Sequence, residues 1–124
     1  MRSYDSLRGR SRFALALRRG RSASTKHLSV SALRSRGHDQ RPKVGIVITK
    51  KVGNAVTRNR LRRRCKAIMD QSDAILAGIW FVVACRPSAS ALAFAALREE
   101  LVGALRESAR KAGQAPLARE GVRR

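Results

Sequence analysis

Residues 50–66 read KKVGNAVTRNRLRRRCK, and the fold of the chain turns on this stretch. It carries eight basic residues, Lys50, Lys51, Arg58, Arg60, Arg62, Arg63, Arg64 and Lys66, and no acid. A turn-like Gly53-Asn54 opens it and a helix follows. At about 100° per residue, Leu61, Cys65 and Ile68 fall on one side. Asn59, Arg60, Arg62, Arg63 and Lys66 fall on the opposite side. Arg58 and Arg64 flank the apolar stripe, where their stems can lie over a core edge while the guanidinium stays in water. The spacing predicts a helix that packs inward through Leu61, Cys65 and Ile68 and presents cations outward. No acid within the segment relieves the repulsion, so an external polyanion is expected on this face rather than solvent alone.

The rest of the composition bears this out. A chain of 124 residues is long enough for one domain with a modest core. A hydrophobic content of 44% excludes disorder throughout. The formal charge of +20, from 28 Lys+Arg against 8 Asp+Glu, points to nucleic acid first and to an anionic membrane surface second. The longest apolar runs are too short to cross a bilayer. Arg far outnumbers Lys, and its planar fork suits phosphates and stacks on bases. Cys65 and Cys85 stand far apart in sequence, with no CxxC and no nearby His. That excludes a standard zinc site and argues against a disulfide scaffold. Each reads as a small buried side chain in a reducing, cytoplasmic setting. Residues 1–36 are rich in Arg and Ser with Asp5 the only acid, a composition shared with transit peptides, but no apolar run marks a secretory signal.

Along the chain, residues 1–10 read as a basic flexible arm, 11–111 as an RNA-binding α+β domain and 112–124 as a flexible tail. Ser11 to Arg19 is a short helix whose Phe13, Ala16 and Leu17 share a face, with Gly20 in the C′ position. Leu28, Val30 and Ala32 alternate with Ser29 and Ser31 as in a half-buried strand. Arg34 to Pro42 is a polar loop. Val44, Ile46 and Ile48 form a second strand with Gly45 and Val47 on its other face. The basic helix ends near Asp70, and a loop runs to Gly78. Ile79 to Cys85, IWFVVAC, is a strand covered on both faces. Ser88 or Ser90 caps a last helix with the stripe Phe94, Leu97, Leu101 and Leu105, and Glu107 and Lys111 form an i, i+4 pair. The order is helix, two or more strands, basic helix, strand, helix: a small sheet with packed helices.

Catalytic groups are scarce. His27 starts a strand and His38 lies in a polar loop, so nothing brings them together as an acid–base pair. Asp70 and Asp73 have the spacing to hold a hydrated magnesium ion, but that spacing also marks a helix end. There is no phosphate-cradling glycine motif and no nucleophile motif. The residues alone lead to a basic α+β nucleic-acid-binding domain.

One resemblance goes further. The run from Lys50 to Arg60, with its Arg58-Asn59-Arg60 core and Arg63 and Lys66 after it, resembles the signature of the bacterial ribonuclease P protein subunit. Leu7-Arg8, Phe13 and Arg18-Arg19-Gly20 resemble the family's opening segment. Val44-Gly45, Ala84 to Pro87, Phe94 and Leu97 resemble its later elements. The resemblance implies an α+β fold like ribosomal protein S5 domain 2, with a left-handed βαβ crossover. It also implies an accessory subunit of an endoribonuclease in which a catalytic RNA removes the 5′ leader of precursor tRNA. The magnesium ions would be bound mainly by RNA and substrate, and no protein residue would be catalytic. The implied partners are the catalytic RNA and the 5′ leader, with neither a membrane nor an obligatory protein partner. RNA contact would fall to Lys50, Lys51, Asn54, Arg58, Asn59, Arg60, Arg62, Arg63 and Lys66. Phe13, Leu17 and Arg86 would line the leader cleft. In three places this chain departs from the family pattern. Leu17 replaces a second aromatic, Ser29 and Ser31 replace strand aromatics, and Arg64 stands where an apolar residue is common. The competing reading is an RNA-binding structural protein of ribosomal type.

Overall fold

The computed structural model describes residues 4–35 and 41–114. Five strands, β1 (Asp5–Ser6), β2 (Arg21–Ser24), β3 (Leu28–Arg34), β4 (Lys43–Ile48) and β5 (Ile79–Cys85), form one sheet in the order β1-β4-β5-β3-β2. The helices are α1 (Arg10–Arg19), α2 (Ala55–Gln71) and α3 (Phe94–Gln114). The IWFVVAC run is the central strand: β5 pairs antiparallel with β3 and parallel with β4. Parallel neighbours cannot be joined by a hairpin, so the chain must cross over between them. The crossover is α2, the basic helix.

α2 and α3 cover one face of the sheet. Leu61, Cys65, Ile68 and Met69 of α2 and Leu97, Leu101 and Leu105 of α3 pack on Leu28, Val30, Ile48, Phe81 and Val83. Each large side chain buried there contributes about 1.5–3 kcal/mol. α1 covers part of the opposite face, where Ala16, Leu33, Val82 and Leu7 form a smaller core bordered by Phe13, Leu15, Val47 and Trp80.

Several sequence expectations are corrected. The arm expected over residues 1–10 is part of the fold from Tyr4 to Leu7: β1 pairs in parallel with β4, and Tyr4 and Leu7 are buried. β2, a four-residue Arg/Ser strand, had no sequence signal and pairs with β3. The tail expected from 112 begins later, since α3 runs to Gln114 with Ala112 buried; residues 115–124 lie outside the described residues. Neither Ser88 nor Ser90 caps α3. Pro87–Ala91 forms a 3₁₀ turn, and the Ala93 carbonyl accepts the first helical bond, from the Leu97 amide at 3.0 Å. Phe94 lies outside the buried stripe and is 39% exposed. Glu107 pairs with Arg110, three residues on, while Lys111 Nζ donates to the Ser22 carbonyl at 2.9 Å.

Gly20 follows α1 as expected, but for a different reason. Its φ of −72° is open to any residue, so the left-handed C′ argument does not apply. A Cβ there would collide with the Ala16 carbonyl oxygen and lie 2.9 Å from that of Ala32. Glycine is needed because α1 turns directly into β2 with the β3 backbone at Ala32 close beside the turn. Both obstructing atoms are backbone and cannot swing away, so Gly20→Ala should destabilise the protein by about 2 kcal/mol or more. Urea unfolding measures this, and a loss below about 0.5 kcal/mol would show that the turn relaxes freely.

Candidate nucleic-acid interface

The exposed Lys50 and Lys51 sit on a 3₁₀ turn, Lys50–Val52, anchored by buried Val52. Asn54 caps α2, its side-chain oxygen accepting from the Thr57 amide at 2.9 Å. This residue, expected to contact RNA, therefore has a structural task worth about 1 kcal/mol. Arg58 and Arg64 flank the apolar seam as the spacing predicts. Arg58 Nε donates to the Gly53 carbonyl at 3.1 Å, and Arg64 donates to the Leu92 carbonyl at 3.1 Å. Asn59, Arg60 and Arg63 are exposed.

Arg62 and Lys66 depart from the outward face expected of them; both are half-buried. β1 pairs only with Lys43 and Val44, which leaves the outer edge of β4 open beyond that point. Arg62 leans over this edge and donates to the Ile46 carbonyl at 3.4 Å. With Lys66 it lines a cavity of about 190 Å³ that also meets Ser6, Gly45 and the Phe13 ring. Two sites that the sequence kept apart, the basic helix and the α1 aromatic, thus share a wall. Among the described residues no carboxylate ion-pairs with a cation of α2.

On the α1 face, Phe13 lies against Gly45, where a Cβ would overlap the ring. Leu17, expected to share an inward face with Ala16, is instead 54% exposed, while Ala16 is fully buried. Leu17 still stands one turn from Phe13 and borders the same side of α1. Beyond it the row Ser29–Ala84–Val47 is half-exposed and forms a floor of small side chains. Of this floor the family resemblance marked Ser29, where a strand aromatic is missing. The strand alternation already set these positions opposite the core, but it could not show that α1 stops short of them. Trp80 was also missed as a ring on this face, with the Arg12 guanidinium 5.7 Å from its centroid.

Arg86 follows β5, and its guanidinium donates to the Thr25 and Leu28 carbonyls, so it holds the β2–β3 turn at the cleft rim. His27 lies in that turn rather than at a strand start, 2.7 Å from the Ser88 hydroxyl and 3.6 Å from Glu100. His38 lies outside the described residues. Asp70 and Asp73 are both exposed at and beyond the end of α2. Asp73 is paired with Arg106 at 2.9 Å, and that hydrogen bond and charge hold its carboxyl below the usual range. Among the described residues no group of three or more His, Cys, Asp or Glu could hold a metal, and no helix is long and apolar enough to cross a membrane.

These features define a small basic α+β protein whose unneutralised cationic helix borders an open sheet cleft. The sequence matches the family model described as Ribonuclease P over residues 1–109. The ribonuclease P protein component of Thermobifida fusca is 36% identical over 115 residues, covering 87% of this chain and 78% of that protein. That of Clavibacter michiganensis is 38% identical over 100 residues, covering 79% and 87%. The solved RNase P protein of Thermotoga maritima superposes with a TM-score of 0.73 at 30% identity, covering 83% of this chain and 96% of that one. The chain belongs to the ribonuclease P protein family. Membership gives it a role in tRNA processing as the protein component of a ribonucleoprotein enzyme, with the ribonuclease P RNA as partner.

The geometry separates two arginines that the motif places side by side. Arg58→Ala loses the bond to the Gly53 carbonyl and should cost about 1 kcal/mol of stability. Arg60→Ala removes an exposed side chain and should stay within about 0.5 kcal/mol of the parent. Melting temperatures compare them, and equal losses would show that the helix does not divide its cations in this way.

Proposed function

We propose that the protein binds the catalytic RNA through the outward cations of α2 and lays the 5′ leader of precursor tRNA along the cleft beside α1. The observation that carries this reading is the cationic face of Lys50, Lys51, Arg60 and Arg63, without acidic partners among the described residues, beside the cavity shared by Arg62, Lys66 and Phe13. Phosphates of one RNA strand offset the repulsion of the helix. Those of another follow Arg62 and Lys66 round the β4 edge into the cleft, where Phe13 offers a ring for stacking. The floor of Ser29, Ala84 and Val47 leaves room for the strand, and Arg86 closes the rim by bracing the β2–β3 turn.

In this reading the RNA performs catalysis and the protein positions substrate. Among the described residues no group of three or more His, Cys, Asp or Glu could hold a metal. We assign the magnesium ions of the reaction mainly to RNA and substrate, as the family resemblance implies. A cytoplasmic setting fits the two free thiols.

Reconstitution with a bacterial ribonuclease P RNA tests the proposal. The protein should restore 5′-leader cleavage at low magnesium, and the protein alone should leave precursor tRNA intact. Ribosome co-sedimentation without such rescue would favour the structural-protein reading. Within the holoenzyme, Phe13→Leu keeps apolar volume but removes a stacking face, and should weaken leader-dependent substrate affinity by about 1–3 kcal/mol. Arg60→Ala should weaken affinity for the catalytic RNA by about 1–2 kcal/mol, as for a lost charge-assisted phosphate contact. Leader affinity unchanged by Phe13→Leu in a folded protein would remove the stacking role.

A further inference from the structure

Cys65 and Cys85 take no part in the RNA surfaces. Cys65 lies on the inward seam of α2 and Cys85 closes β5, and the crossover brings their Sγ atoms to 4.0 Å across 20 residues of chain. Both thiols are free. Cys65 is fully buried, whereas Cys85 keeps 7% of its surface in contact with solvent. The contact with Cys65 holds the Cys85 thiol below its usual range, burial works against it, and the charge of Arg62 lowers it further. The same contact, together with burial, pushes Cys65 up. Cys85 is the residue of the pair that solvent reaches, with a second thiol 4.0 Å away to resolve what forms there.

We propose that Cys65 and Cys85 are a dithiol site for a two-electron oxidant of the hydroperoxide class, closing reversibly into a disulfide that fastens the basic helix to the central strand. The Cys85 thiolate attacks one peroxide oxygen. The O–O bond breaks, the leaving oxygen departs after protonation as water from hydrogen peroxide or as the alcohol from an alkyl hydroperoxide, and Cys85 becomes a sulfenic acid. Cys65 loses its proton and attacks the Cys85 sulfur, the S–O bond breaks, and water leaves. Sulfur gives up two electrons in all and the peroxide takes them. Side-chain rotation must bring the sulfurs from 4.0 Å to a bond length of about 2.05 Å. The product joins the element that carries Arg60 and Arg63 to the strand that leads into Arg86, and it closes a chain loop that is otherwise free in the unfolded state. This chemistry does not depend on the RNA-binding reading, so either can fail alone.

The test treats the full-length folded protein with one equivalent of hydrogen peroxide and follows it by intact mass and thiol titration. The expected result is joint loss of both thiols, a monomer lighter by about 2 Da, and a melting temperature raised by about 5 °C or more. A dithiol reductant should reverse all three. Cys65→Ala should stop at a Cys85 sulfenic acid that dimedone traps, and Cys85→Ala should leave Cys65 unreacted at the same dose. Oxygen adducts on single cysteines of the parent, disulfide-linked dimers, or two intact thiols in the treated protein would each overturn the proposal. The parent protein alone decides the matter if either variant fails to fold.

Discussion

The parallel pairing of β4 with β5 sets the terms for the rest of the structure. It demands a crossover, and the segment that supplies it is also the most cationic in the chain. The helix can dock only through Leu61, Cys65, Ile68 and Met69, so its charges must go to the flanks and the outer face. Arg58 and Arg64 spend theirs on backbone carbonyls, and Arg62 covers an open strand edge. Arg60 and Arg63 stay in water and Lys66 lines the cavity, with no carboxylate paired to them among the described residues. Several carboxylates are engaged elsewhere: Asp5 with Arg41 and Lys43, Asp73 with Arg106, Glu107 with Arg110. Such exposed pairs contribute little to stability, but they keep those acids away from the helix. The fold thus concentrates its repulsion on one face, where a polyanion can offset it.

The second half of the interface follows from small residues. Gly45 lets the Phe13 ring sit on β4, and Gly20 lets α1 turn directly into β2 against the β3 backbone. α1 is held tightly by Ala16 yet is too short to roof the sheet. The row it leaves open, Ser29–Ala84–Val47, carries no ring. A strand lying there keeps space and hydrogen-bonding groups but loses stacking surface, with Phe13 the one ring of this face that borders the open row. Trp80, under Arg12, lies two residues along β5 from Val82 and four from Ala84.

Much of this was legible in the sequence wherever a period repeats long enough to be read. β3, β4, β5 and α2 declared themselves through alternation or through the seam of Leu61, Cys65 and Ile68, and the cationic face followed from the same wheel. β1 and β2 were not legible because two and four residues of Asp, Ser, Arg and Ala carry no period. They exist because a neighbouring strand offers an edge. A helical wheel likewise placed Arg62 outward because it knows nothing of an exposed carbonyl on a strand 16 residues away. Leu17 looked apolar and therefore inward, yet the sheet beneath it had already been filled by Ala16. The contact between Cys65 and Cys85 is the extreme case, since their spacing fits no motif and only the crossover makes them neighbours. The roles of single residues toward RNA came from the family resemblance, while the geometry added which of them also hold the fold together.

The central claim is that the outer face of α2 works by neutralising phosphates. The salt dependence of binding to the ribonuclease P RNA tests it most directly. With about six phosphates neutralised, the logarithm of the affinity should fall against the logarithm of salt concentration with a slope of about −4 to −5. A slope shallower than about −2 would mean that the cations of this helix are solvated rather than engaged, and the account would fail.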